Sequence, residues 1–254
     1  MIRKLILIFI ALSFFSVCFA GSIQDMHKAA IARKNAAVIC DSCAGDLKFS
    51  WHMEDDDSTP DVTIGDPCGC SNNDTIGAET GSPTFSNAVG QANGGTNALY
   101  INASGEYYTF DVTTEDIIVL DDIKLTFDIY IVSYPASGAA YVITSEYDSS
   151  NFIYVYLDQA TAKLAVWYRG GADSDSLLVT VPTGSWVSCV YQALVGGPAG
   201  NDHYLICGAA SDEGDGNLTA QGGSPASVVF GDNGSGDAGT YYLDNVKIYP
   251  NDRY

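Results

Sequence analysis

Basic residues are scarce in this chain: 11 Lys and Arg stand against 31 Asp and Glu, a formal net charge of −20. A surface of that sign repels phosphate backbones and anionic bilayers, which excludes general nucleic-acid and lipid-surface binding. Histidine is scarcer, with His27, His52 and His203 well separated in the sequence. None has a Ser or Cys nucleophile beside it in a recognisable setting, and the glycines are scattered through turns rather than gathered in a phosphate-cradling loop. Long apolar runs are missing after the first 20 residues, so no later segment reaches the roughly 18 residues of a membrane-spanning helix. No unit of about 20–50 residues repeats, which excludes solenoids and propellers. Helical spacing is confined to Ser22 to Val38, a locally basic stretch carrying Lys28, Arg33 and Lys34. It reads as a short helix or a leader.

What is present begins with a secretory signal. Arg3 and Lys4 form its charged start, Leu5 to Phe15 its apolar run, and Ala20 the small residue before a cut at Gly21. The expectation is export to an extracellular or periplasmic space, with residues 21–46 as a leader and 47–254 as the folded domain. Of seven cysteines, Cys18 leaves with the signal, and an even set remains: Cys40, Cys43, Cys68, Cys70, Cys189 and Cys207. An even count in an oxidising compartment favours disulfides. Cys189 and Cys207 lie in two strand-like runs either side of the turn Gly196-Gly197-Pro198-Ala199-Gly200, and a cross-strand bridge is expected there. Cys40-Asp41-Ser42-Cys43 and Cys68-Gly69-Cys70 form a second group. A bridge inside Cys-Gly-Cys would be strained, so these pair across the two motifs or hold a four-thiolate zinc ion.

From Leu47 onward the pattern is β. About a dozen short runs, bounded by Gly, Asp, Asn and Pro, follow one another, from Leu47–Met53 to Tyr241–Tyr249. Asp55 to Gln91 reads as one long loop. Such a series indicates a sandwich or barrel rather than a parallel sheet. Two runs alternate cleanly. In Ile123 to Ile131 the odd positions are apolar, and Phe152 to Leu157 splits aliphatic Ile153, Val155 and Leu157 from aromatic Phe152, Tyr154 and Tyr156. Period-2 geometry sends the two sets to opposite faces of the sheet.

Four stretches together resemble the laminin-G-like, concanavalin A-like jelly-roll family of secreted proteins. They are Leu47 to Glu54, Asn97 to Phe110, Gly184-Ser185-Trp186-Val187-Ser188-Cys189-Val190, and Leu243-Asp244-Asn245-Val246-Lys247-Ile248-Tyr249. Leu205-Ile206-Cys207-Gly208 departs from the pattern, with Cys where the family often has Asp, and the cysteine-rich loop lies outside it. The resemblance implies an antiparallel two-sheet jelly roll that binds glycans or proteins, often with a structural calcium ion.

Candidate sites follow. Calcium takes six to eight oxygens, and acids on both terminal strands make Glu54, Asp55, Asp56 and Asp244 its expected ligands. Asp212 to Asn217 and Asp232 to Asp237 lack the alternating ligands of a calcium loop and read as acidic turns. Tyr154 and Tyr156 share a non-core face. Tyr130 shares the side of Asp128 on its own strand, and the face of Trp167 is left open by the pattern. Tyr130, Tyr154, Tyr156 and Trp167 are the candidate sugar platform, set against the plainer alternative that amphipathic tyrosines merely cover the sheet. Retaining glycosidases need two carboxylates about 5 Å apart. The nearest match to a glucanase motif, Glu146-Tyr147-Asp148-Ser149-Ser150-Asn151, ends in Asn and reads as a turn. The expectation is a non-catalytic module for an extracellular carbohydrate, with a surface protein that contacts another protein as the alternative and a glycoside hydrolase third.

Overall fold

The computed structural model describes residues 49–51, 53, 62–64, 78–89, 97–111, 122–171, 173–194, 203–214, 218–219, 227–234 and 238–250. The chain divides into two compact units, residues 1–43 and 44–254, and everything described lies in the second. The signal, the leader, Glu54, Asp55, Asp56, Cys40, Cys43, Cys68 and Cys70 lie outside the described residues.

Alternating side chains along short strands dictate two packed sheets. The strands are β1 (Phe49–Trp51), β2 (Val62–Ile64), β3 (Ala78–Thr80), β4 (Thr84–Ser86), β5 (Ala98–Ile101), β6 (Glu106–Asp111), β7 (Asp122–Ser133) and β8 (Ala139–Asp148). They continue with β9 (Asn151–Asp158), β10 (Lys163–Gly170), β11 (Asp173–Val179), β12 (Trp186–Leu194), β13 (His203–Cys207), β14 (Ala210–Gly214), β15 (Ser227–Asp232) and β16 (Thr240–Pro250). Every strand pairing is antiparallel. Sheet A runs β14-β13-β12-β7-β16-β1-β2, with β5 also on β16 and β4 on β5; sheet B runs β11-β10-β9-β8-β15-β6-β3. The protein is thus an all-β, two-sheet, jelly-roll-like sandwich.

The first and last strands meet, with Phe49 opposite Ile248 and Trp51 opposite Val246. β16 pairs with β5 through Tyr241–Leu243 and with β1 through Val246–Ile248. Between these partners its register to β7 shifts after Asp244, and Asn245 takes a left-handed φ of 50°. Asn tolerates that conformation better than most side chains. The inward faces supply the core. Trp51 packs edge-on to Phe85, Tyr108, Phe110 and Phe230 with ring centroids 5.1–6.1 Å apart. Ile153, Val155 and Leu157 are buried in that core as the alternation requires.

Two expectations are corrected. Asp55 to Gln91 is not one loop, since β2, β3 and β4 lie within it. Asp212 and Glu213 are not in a turn: they stand in β14, opposite Leu205 and Tyr204. The polar strands β3 and β14 carry no apolar alternation of their own. The exposed hydrogen-bonding edge of a better strand recruits them, here through the turn at Gly208, whose φ is +59°.

The sheets are stitched together along one edge. His203 on β13 is buried, with Nε2 3.0 Å from Asp175 Oδ2 on β11. Leu178 N–H donates to Asp212 Oδ2 at 2.8 Å beside it. A Cβ on Gly214 would lie 2.0 Å from His203 Nε2, so glycine there makes room for the His–Asp contact.

Candidate functional site

The outer face of sheet B carries a cluster of aromatic rings. On β9 the residues opposite the aliphatic set, Phe152, Tyr154 and Tyr156, point away from the core. β10 pairs Trp167 with Tyr154, which brings Trp167 to the same face. β8 pairs Tyr141 with Tyr156 and adds a fifth ring. Phe152 stacks on Tyr154 at 4.2 Å, and Trp167 meets Phe152 edge-on at 4.8 Å. Tyr141 meets Tyr154 at 5.3 Å and Tyr156 at 6.2 Å. Phe152 is buried beneath its neighbours, while Tyr141, Tyr154, Tyr156 and Trp167 remain partly open.

Polar groups border the rings. The Tyr154 hydroxyl donates to Glu146, and Trp167 Nε1–H donates to Ser174 Oγ at 2.8 Å. Burial raises the Tyr154 phenol, and the Glu146 hydrogen bond raises it further. The phenols of Tyr141 and Tyr156 are raised chiefly by burial too, helped by Asp232 and by Asp158 respectively. All three stay protonated near neutrality. Arg169 Nη1 is held on the Ser149 carbonyl at 3.1 Å.

Sheet A carries a different row. Cross-strand pairing lines up Trp186, Tyr130, Tyr242 and Tyr100 across β12, β7, β16 and β5. Their centroids are 5.8, 5.9 and 4.6 Å apart in that order. One step along lie Ser188, Asp128 and Asp244, with Asp244 directly opposite Asp128. Both acids are buried. Ser188 Oγ–H and Asn245 Nδ2–H supply one bond to each Asp128 oxygen, the latter at 2.9 Å, and Asn245 N–H donates to Asp244 Oδ1 at 2.7 Å.

The structure thus brings together Tyr154, Tyr156 and Trp167 of the expected platform, and separates Tyr130. The four cannot form one band, because strand parity fixes a side within a strand and not which sheet the strand joins. Tyr141 was missed because β8 shifts register between Tyr141 and Ile143, which breaks the alternation that would have shown its face. The Glu146 to Asn151 segment is the end of β8 and its turn into β9, and Asp148 Oδ1 accepts from Ser150 N–H and Asn151 Nδ2–H. Cys189 and Cys207 stand opposite each other and form the expected disulfide on the inner side of sheet A. Among the described residues no group of three or more His, Cys, Asp or Glu side chains is arranged to hold a metal.

No protein-family model matches the chain, and no curated protein sequence does. Solved structures share the fold. The binding domain of Paraclostridial Mosquitocidal Protein 1 superposes with a TM-score of 0.56 at 13% identity over 80% of this chain and 48% of that one. Domain 4 of AbnA, a GH43 extracellular arabinanase from Geobacillus stearothermophilus, in complex with arabinotriose, gives 0.55 at 13% identity over 80% of this chain and 93% of that one. The ligand-binding domain of botulinum neurotoxin serotype D, in complex with N-acetylneuraminic acid, gives 0.53 at 12% identity over 80% and 47%. This chain spans about half the length of the toxin domains. At such identities the likeness establishes the fold alone.

Proposed function

We propose that this protein is a non-catalytic module that binds extracellular carbohydrate on the outer face of sheet B. The observation that carries the reading is the patch of Tyr141, Tyr154, Tyr156 and Trp167, four partly open rings bordered by Glu146 and Ser174. Apolar faces of a sugar ring can stack on such rings, and its hydroxyls can exchange with the bordering hydrogen bonds. The two neighbours solved with arabinotriose and N-acetylneuraminic acid make a saccharide the first ligand class to test. The disulfide suits export, the compartment expected from the N-terminal signal.

A glycan array followed by calorimetry tests the reading. Binding should be saturable and should fall roughly 10- to 100-fold in Trp167→Ala, in line with loss of a central aromatic anchor. Sugar binding that survives Tyr154→Ala and Trp167→Ala together would refute it.

A structural calcium ion is part of the proposal. Of its expected ligands Asp244 is the described one. Asp244 Oδ1 already accepts from the Asn245 N–H, and Asp128 opposite already has a donor on each oxygen. The fit at this pair is poor for an added cation.

A further inference from the structure

Stacking on rings leaves the charge of a bound sugar open, and the polar groups beside the rings decide it. Phe152, buried beneath the patch, lies opposite Glu146 on β8 and opposite Arg169 on β10. The two charges therefore stand on opposite flanks of one ring. Arg169 is answered on its own flank. Its Nη1–H donates to the Ser149 carbonyl at 3.1 Å. The Ser150 amide, the Asn151 side chain and then the Arg169 guanidinium lower the Asp148 carboxyl, so Asp148 shares that flank. Asp158, at the far end of β9, accepts from Thr161 N–H at 2.9 Å and Thr161 Oγ1–H at 2.6 Å, and stands opposite Lys163.

Glu146 has no such answer. It is exposed, and among the described residues it forms no ion pair. Its hydrogen bond comes from the neutral hydroxyl of Tyr154. Its charge reaches two rings. Burial and then Glu146 raise the phenol of Tyr154, and burial, Asp232 and then Glu146 raise that of Tyr141. These rings meet edge-on at 5.3 Å, and both are partly open. The face of an aromatic ring attracts a cation, and a carboxylate bonded to one of the rings adds a full negative charge at the same place. At longer range the chain, with 31 acidic against 11 basic residues, draws cations and repels anions.

Resting on the carbohydrate reading above, we propose that the ligand is a saccharide with a free amino group, whose ammonium binds Glu146 against the rings of Tyr141 and Tyr154 while a sugar face stacks on Trp167. Glu146 is then the residue that sets specificity. The ammonium donates to the carboxylate in a charge-assisted bond, stronger than the neutral one an acetamido N–H makes from the same carbon. A sugar carboxylate at that point would meet Glu146 with like charge, and the carboxylate of an acidic saccharide is disfavoured for that reason.

The test uses the full mature chain with disulfides intact. Calorimetry compares oligomers of glucosamine with the same oligomers fully N-acetylated, at a pH just below neutrality where the free amines are protonated. The wild type should bind the free-amine form about 10-fold more tightly, and added salt should weaken that form while sparing the acetylated one. Glu146→Gln keeps an acceptor for Tyr154 and removes the charge. It should weaken the free-amine form about 10-fold and leave the acetylated form within about twofold. Glu213→Gln, at an exposed position of β14 in sheet A, removes the same charge from the chain and should leave both affinities within about twofold. Equal or tighter binding of the acetylated oligomers overturns the proposal. So does a preference that Glu146→Gln retains, or one that Glu213→Gln reduces as much. In each of these cases, saccharide binding that falls in Trp167→Ala leaves the carbohydrate reading standing. No saturable binding of any saccharide on the glycan array removes both.

Discussion

The outer faces of the two sheets both carry aromatic rows, yet they are built to different ends. On sheet B the rings are backed by Phe152 and bordered by Glu146 and Ser174, whose bonds to Tyr154 and Trp167 lie at the exposed surface. On sheet A the rings of Trp186, Tyr130, Tyr242 and Tyr100 run beside Asp128 and Asp244, which are buried. The polar groups of sheet A spend their bonding capacity within the protein, on Ser188 and Asn245. An aromatic row therefore says little by itself. What separates a candidate binding surface from a structural one is whether the adjoining polar groups can trade partners with a ligand at small cost.

The largest effect should come from the rings. Trp167→Ala or paired Tyr154→Ala and Tyr156→Ala should weaken sugar binding by about 10- to 100-fold with little change in melting temperature. Trp186→Ala and Tyr130→Ala should leave affinity within about twofold. If calorimetry shows the sheet A pair to matter equally, the distinction between the faces collapses.

Stability should show the reverse order. Asp128→Ala removes the carboxylate that accepts from the Ser188 hydroxyl and the Asn245 amide, and should cost about 2–3 kcal/mol in urea unfolding. Glu146→Ala removes an acceptor at an exposed bond and should cost under about 1 kcal/mol. Equal costs would mean that the two faces are supported alike.

The edge that joins the sheets offers a further comparison. Gly214→Ala drives a methyl group into His203 and Asp175, and should cost about 1–3 kcal/mol while sugar affinity stays unchanged. A fall in affinity would show that the binding face depends on how that edge is closed.

The smallest effect concerns pH. Tyr108 lies on the inner side of sheet B, and burial together with Glu79 pushes its phenol from 10.0 up to about 12. The native state thus holds this proton more tightly than the unfolded chain does. The associated stability is complete below about pH 10 and is lost as the pH rises towards about 12. Tyr108→Phe should flatten the unfolding profile in that window. The outer phenol of Tyr154 is also raised, by burial and Glu146, so Tyr154→Phe offers the matching measurement on the ligand side.

Much of the sandwich was legible in the sequence because a strand buried on one face must alternate. Ile123 to Ile131 and Phe152 to Leu157 declared their inner sides, and the cysteines at 189 and 207 declared a neighbouring pair. β3 and β14 were not legible, because polar strands at a sheet edge are specified by the partner that recruits them. Tyr141 escaped for a related reason: the register shift in β8 breaks the period that locates a face.

Taken alone, the order of residues determined the class of fold, the sidedness of the cleanly alternating strands and the excess of acidic residues. These are local properties, read from period, composition and turn chemistry. Which strands lie side by side is not local, and it decided everything about the sites. Pairing of β9 with β10 and β8 gathered Tyr154, Tyr156, Trp167 and Tyr141, while pairing of β7 with β12 and β16 placed Tyr130 on the other sheet. Burial likewise separated three similar aspartates. Asp128 gained donors from both neighbouring strands, Asp244 accepts from the next amide along its own strand, and Asp232 was left with one oxygen unanswered. A carboxylate carries the same charge wherever it stands in a sequence, and only the folded surroundings set what it costs to keep.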